Sequence, residues 1–249
     1  MRQSLLYISI LLTALLFACS ESFTDPRDGQ SYDIVQIGSQ IWMAENLNYE
    51  IEGSACPEGD KRNCSKYGRL YTWDMARTVC PEGWHLPDSA DFEQLISAAG
   101  GTEVAGNALK STSGWFKKGN GSDDFGFNAL PAGYRLAGNN ATGGKFDGIG
   151  GYAHLWTASE TPDGLAHYLL LDFSTKAAKL SAFGKDEARS VRCVKKPPFT
   201  FIPFKTIYGG GRAVSSRKAH LKGIQPSNEE VLECLGGFLA NFKIYDVII

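Results

Sequence analysis

Cys80-Pro-Glu-Gly-Trp-His-Leu-Pro-Asp-Ser-Ala-Asp-Phe-Glu-Gln-Leu95 is the stretch from which the fold is read. Its second half writes a helix. Pro87-Asp88-Ser89 supplies a cap, whose side-chain oxygen can take up a free amide of the first turn. Phe92, Leu95, Ile96 and Ala99 then recur at i, i+3, i+4 and i+7, and Gly100-Gly101 ends the run. An apolar stripe of this kind is a core face rather than a cofactor box.

Upstream of this block a second helix is expected over residues 70–79, with Trp73 and Ala76 on one face. Before it, residues 32–37 and 40–43 read as two strands joined by the Gly38-Ser39 turn, a β-hairpin signal. Downstream, residues 100–152 are rich in Gly, Asn, Ser and Asp, and long loops are expected there. Strands return at 155–159, 166–173, 178–183 and 190–194. Helices that come early, bracketed by strands at both ends, give an α+β fold whose first and last strands pair.

The two ends of the chain differ from this middle. Residues 5–17 are an apolar run broken only by Ser9 and Thr13, preceded by Arg2. That is shorter than the roughly 20 residues of a membrane-spanning helix and fits the apolar core of a signal peptide. Leu16-Phe17-Ala18-Cys19 then resembles the lipobox of bacterial lipoproteins, so residues 1–18 are expected to be removed and Cys19 to carry lipid. Residues 19–29 are polar and read as a tether. Ser20 points weakly to the outer membrane. After Lys196, Pro197-Pro198 opens a segment, 197–249, that carries five basic residues and no acid over 205–222, then Gly209-Gly210-Gly211 and a helical-looking stretch at 229–242. It reads as a poorly packed extension of the domain at 30–196.

Composition narrows the chemistry. Without residues 1–18 the chain has 24 basic and 27 acidic side chains, a net charge of about −3. That gives no strong field and makes nucleic acid an unfavoured partner. A hydrophobic content of 43% with 12% aromatics suits a packed core. Five cysteines remain besides Cys19, an odd number, and an exported chain meets an oxidising compartment in which disulfides are the default. There is no C-x-x-C, and the four histidines are scattered, so zinc finds no support. No nucleophile elbow, P-loop, H-E-x-x-H or G-x-G-x-x-G motif occurs.

Six blocks carry a resemblance: 37–50 (IGSQIWMAENLNYE), 66–76 (KYGRLYTWDMA), 80–95, 130–135 (LPAGYR), 143–160 (GGKFDGIGGYAHLWTASE) and 190–195 (SVRCVK). In this order they resemble the fibrobacter major paralogous domain family, FISUMP, over roughly residues 30–196. The resemblance implies an exported, often lipid-anchored protein with a C-type-lectin-like fold related to that of formylglycine-generating enzymes. It also implies a long-range disulfide from Cys80 to Cys193, which leaves Cys56 and Cys64 to close a short loop and Cys234 without a counterpart. The family has no established activity. The formylglycine-generating enzymes have a late active-site cysteine pair with no counterpart here before Cys193.

His85, in the apolar Trp84-His85-Leu86, reads as a buried, hydrogen-bonded histidine rather than a catalytic one. Asp123-Asp124, Asp147 and Asn139-Asn140 match none of the calcium triplets of sugar-binding lectins and read as solvated loop. Trp42, Trp73, Trp84 and Trp156 lie inside family blocks and are expected in the core. Trp115 sits in a polar loop beside Phe116. With Tyr134 it is the leading candidate for stacking on a sugar ring, against the alternative that it too packs inside. The sequence thus leads to a non-catalytic surface module, lipid-anchored at the outer membrane or cell surface, with extracellular polysaccharide as partner and no metal or cofactor. A structural envelope lipoprotein without small ligand is the alternative, and an enzyme related to formylglycine-generating enzymes comes third.

Overall fold

Period-two patterning in the strands builds a sheet with apolar side chains on both faces. In the computed structural model, which describes residues 21–138 and 144–195, that patterning organises the whole domain. Strands β1 (Ser22–Thr24), β2 (Ser31–Ile37) and β3 (Gln40–Met43) form one sheet with β11 (Val194–Lys195), in the order β1-β2-β3-β11. β2 and β3 make the expected hairpin, with Ile37 opposite Gln40 across Gly38-Ser39. The C-terminal strand returns antiparallel to β3, Val194 facing Trp42. The N-terminal hairpin and the last described strand therefore pair, as the order of elements implies.

The second sheet runs β4 (Leu70–Tyr71), β10 (Arg189–Ser190), β7 (Tyr152–Glu160), β5 (Ala132–Arg135), β6 (Phe146–Ile149), with β8 (Ala166–Asp172) and β9 (Ala178–Phe183) following β7 as a meander. Pairing is antiparallel except where β10 and β5 each meet β7 in parallel, at Ser190–Leu155 and Gly133–Ala153. Successive side chains on a strand point to opposite faces. Accordingly Ala153, Leu155, Leu169 and Leu171 enter one core, with Trp42, Phe92, Leu95, Leu109 and Phe127. Trp156, Ala166 and Tyr168 enter the other, with Tyr32, Met43, Tyr71, Trp73 and Trp84. Each fully buried large side chain contributes roughly 1.5–3 kcal/mol relative to exposure.

The helices are α1 (Lys61–Tyr67), α2 (Trp73–Val79), α3 (Ser89–Ala98) and α4 (Thr102–Leu109). In α3 the Asp88 carboxylate accepts from the Asp91 amide at 2.8 Å and the Asp91 carboxylate accepts from the Asp88 amide at 3.1 Å, a reciprocal capping box. The sequence expectation of a helix over 70–79 is corrected at its start. Leu70 and Tyr71 are strand β4, paired with β10, and the helix begins only at Trp73.

Residues 100–152 are also more ordered than expected. Helix α4 lies within them, with Ala105, Ala108 and Leu109 buried. Gly106 interrupts its apolar pattern because a β-carbon there would collide with the Ala177 carbonyl at the start of β9. The segment expected as a tether, 19–29, is partly structured: β1 pairs with β2, and Asp25 is fully buried. Burial disfavours the Asp25 carboxylate, but the Arg27 guanidinium, 2.6 Å away, outweighs this and holds its pKa below the usual range. Arg27 also donates to the Val79 carbonyl at 2.8 Å, tying this segment to α2.

Disulfides join Cys56 to Cys64 and Cys80 to Cys193, the pairs the family resemblance implies. Cys19, residues 1–18, Cys234 and the segment 197–249 lie outside the described residues. No described helix is long and apolar enough to cross a membrane.

Candidate functional site

The loop after α4 separates two neighbouring aromatics that look alike in the sequence. Trp115 is 6% exposed and belongs to the core shared by Trp42 and Phe92. Its indole N–H donates to Ser111 Oγ at 3.0 Å and its amide to Asn120 Oδ1 at 3.1 Å. A stacking role for Trp115 is thereby corrected: its ring faces protein, not solvent. Phe116, the next residue, is 54% exposed. Trp115 is extended and Phe116 opens a short 3-10 turn, Phe116–Lys118, and across this junction one ring goes in and the other out.

Phe116 is fixed from behind. Its amide donates to the Gly150 carbonyl at 2.8 Å, and its ring rests where a β-carbon on Gly150 would stand. Gly150 has φ +79°, so glycine is required there twice over, by conformation and by contact. Phe173, at the end of β8, meets the rings of Phe116 and Tyr152 edge-on, each with centroids 6.3 Å apart. Together with Phe146, Asp147, Gly148 and Glu58 these residues line an open cleft of about 390 Å³.

Tyr134 does not line this cleft but lies beside Gly148, which does. It is half-buried, and Gly148 separates it from Tyr152: a β-carbon on Gly148 would lie 3.1 Å from Tyr134 and 2.8 Å from Tyr152. Behind Tyr134 its ring stacks on His154 at 4.7 Å, nearly parallel. Burial and the nearby Arg189 push the His154 pKa down to about 3, so this imidazole is neutral at physiological pH. Arg189 is itself buried, paired with Glu187 at 2.6 Å and set over the rings of Tyr168 and Trp156 at 4.2 and 4.4 Å. Burial raises the Glu187 pKa, against the opposing pull of Arg189. This ionic and aromatic layer is a rigid backing for Tyr134.

The other residues singled out in the sequence are scattered. His85 is hydrogen-bonded, to Asp91 at 3.2 Å, but its side chain is 46% exposed, contrary to the expectation of burial. Leu86 and Trp84 turn inward on either side and leave the imidazole at the surface. Asp123 and Asp147 accept backbone amides at Asn128 and Gly148. Asn139 and Asn140 lie outside the described residues. Among those residues no three metal-ligating side chains cluster, and all four cysteines are in disulfides.

Sequence reading missed Phe146, Tyr152 and Phe173, which come from three different strands or strand ends. No local pattern unites them; the one available signal was Phe116 beside Trp115 in a polar loop. The cleft can do what flat apolar rings do: cover the apolar face of a flat ligand while nearby polar groups orient it. A larger groove of about 620 Å³, between α3, α4 and β9, is lined by Ile96, Leu180 and short or charged side chains and offers no ring.

Comparison with known proteins identifies the family. The sequence profile described as the Fibrobacter succinogenes major domain matches residues 35–195, a span that contains most of both cores, every residue lining the cleft and the long-range disulfide. No curated protein and no solved structure matches the chain significantly. The chain belongs to the Fibrobacter succinogenes major domain family.

Proposed function

We propose that the protein is an exported, lipid-anchored module of lectin-like fold that binds extracellular polysaccharide without catalysis, through the cleft of Phe116, Phe146, Tyr152 and Phe173, with Tyr134 beside it. The observation that carries this reading is Phe116. It is the most exposed large apolar side chain among the described residues, yet it is held by its backbone and seated on Gly150. An exposed ring immobilised at the rim of an aromatic cleft loses little entropy when a sugar ring stacks on it. The two disulfides suit an oxidising compartment outside the cytoplasm. Residues 16–19 supply the lipid-attachment signal.

A single cleft of this size would bind weakly, with Kd near 1 mM or about −4 kcal/mol. Many anchored copies on one surface raise this by avidity. The test is retention of the protein on insoluble cellulose, xylan, chitin and pectin. Retention that falls about tenfold in Phe116→Ala is the expected result. No retention on any polymer would favour the alternative, a structural envelope lipoprotein. Anchoring is tested separately: labelled fatty acid should enter the wild-type protein in its host and be lost in Cys19→Ala.

A further inference from the structure

We infer that the polysaccharide is acidic, a polymer carrying anionic groups on its sugar rings, and that a lysine groove beside the aromatic cleft selects it. The inference rests on the glycan-binding reading. Phe173 is a shared wall. On one side it lines the aromatic cleft, and on the other it lines a second groove of about 390 Å³ with Lys110, Lys117, Lys118 and Lys176. Asn107, Asn120, Ser174 and Thr175 complete that groove, which has no carboxylate in its lining.

Four lysines meet here in a chain that is acidic overall. Among the described residues none of them makes an ion pair with a carboxylate. Lys110 is 2% exposed and its ammonium donates to the backbone carbonyls of Asp172 and Thr175, at 2.9 and 2.8 Å. Those acceptors carry no formal charge. The nearest acid, Asp172, turns its carboxylate to the Ser174 amide. Lys110, buried and held by these carbonyls near the Asp172 charge, is thus occupied, and the positive charge left for a ligand is that of the exposed Lys117, Lys118 and Lys176.

The loop that presents it is shaped at a cost. Lys117 and Lys118 have φ +47° and +65°, consecutive left-handed residues with side chains that disfavour that conformation. Surrounding contacts enforce it. Gly119 donates to the Phe116 carbonyl at 2.7 Å and lies so close to the Phe173 backbone that a β-carbon would collide with it. Asn120 holds the Trp115 amide. The result sets Phe116 towards one side of Phe173 and the lysines towards the other. Lys117 Nζ stands 5.7 Å from the centre of the Phe173 ring. A polymer stacked at Phe116 and running past Phe173 would bring its further acidic groups to these ammonium groups.

The probes are polygalacturonate and its fully methyl-esterified form, the same chain with its charge removed, offered to the detergent-solubilised full-length protein. The ester is expected to bind at least tenfold more weakly. Lys117→Ala with Lys118→Ala should reduce polygalacturonate binding to the level of the ester, and added salt should have the same effect. Lys61→Ala with Lys66→Ala, on α1 and outside the groove, removes the same charge and should change nothing. Thermal melting confirms that each variant is folded. Equal affinity for both polymers would overturn the inference and leave glycan binding standing. Retention of no polymer, charged or neutral, would remove both.

Discussion

Helix α3 and the loop at 111–121 pack against the same core by opposite means. α3 is held by side chains: Phe92, Leu95 and Ile96 are buried and Asp88 with Asp91 closes its first turn. The loop buries one ring, Trp115, and is otherwise held by its backbone. Ser111 donates to Ala129, Phe116 to Gly150 and Gly121 to Ser111, and the side chain of Asn120 takes the Trp115 amide. An element fixed by its side chains has none to spare, because every apolar group is used in packing. An element fixed by its backbone can turn side chains outward. That difference places the candidate site on the loop and not on the helix, in keeping with binding groups carried by loops on a rigid base.

The comparison is broken most forcefully at Phe92. Its ring lies 5.2 Å from Trp42 and is fully buried. Phe92→Ala should cost about 4 kcal/mol, read by chemical denaturation, because it removes the transfer energy of the ring and leaves a cavity. A loss below about 1 kcal/mol would show that α3 is not held as described.

Two perturbations of intermediate size follow. The first acts on β7, which carries His154 between the rings of Tyr134 and Tyr168. With its folded pKa at about 3, below the unfolded value near 6.5, His154 binds fewer protons folded than unfolded in the window between them. Stability contributed by the neutral imidazole is therefore full above pH 6.5 and lost as pH falls. Between pH 7 and pH 5 the loss should be about 2 kcal/mol. His154→Phe should abolish that slope. The raised Glu187 pKa acts in the opposite direction in both proteins, so the difference between them isolates His154. Equal slopes would show that His154 does not titrate as stated.

The second acts on the loop backbone. Gly119→Ala adds one methyl group against Phe173 and should cost about 2 kcal/mol, as overpacking does. The matching change on the helix, Asp88→Ala, deletes a cap and should cost about 1 kcal/mol. Both are read as shifts in denaturation midpoint. A loop more tolerant of Gly119→Ala than the helix is of Asp88→Ala would reverse the contrast.

The same contrast explains what the sequence disclosed. α3 was legible from its cap to its glycine stop, since periodicity and capping are written in side chains. The hairpin and the strands from 155 to 183 were legible for the same reason, and the order of elements implied the pairing of β11 with β3. Helix α4 was not legible. Its interior Gly106 answers to the Ala177 carbonyl, a neighbour about 70 positions away that no local pattern encodes. Leu70 and Tyr71 carry helix-compatible side chains but pair with β10, because tertiary pairing overrides local propensity. The candidate site was legible only in outline. Tyr134 lies beside Gly148 of the cleft without lining it, Trp115 is buried, and the choice between Trp115 and Phe116 depends on which ring Ser111 and Gly150 receive.

The smallest stability effect belongs to Phe116→Ala, and it is the most discriminating. A core phenylalanine changed to alanine costs several kcal/mol, as at Phe92. Phe116 is more than half exposed and touches Gly150 and the edge of Phe173. Its removal opens no enclosed cavity, and the loop keeps its backbone bonds to Gly150, Ser111 and Ala129. The expected change is below about 0.5 kcal/mol, the range of surface substitutions. Polysaccharide retention should meanwhile fall about tenfold, equivalent to about 1.4 kcal/mol of binding free energy. Stability and binding are thus predicted to separate at this residue and to move together at Phe92. If Phe116→Ala destabilised the fold by about 2 kcal/mol or more, its ring would be part of the packing. The loop would then resemble α3, with no side chain left over for a ligand.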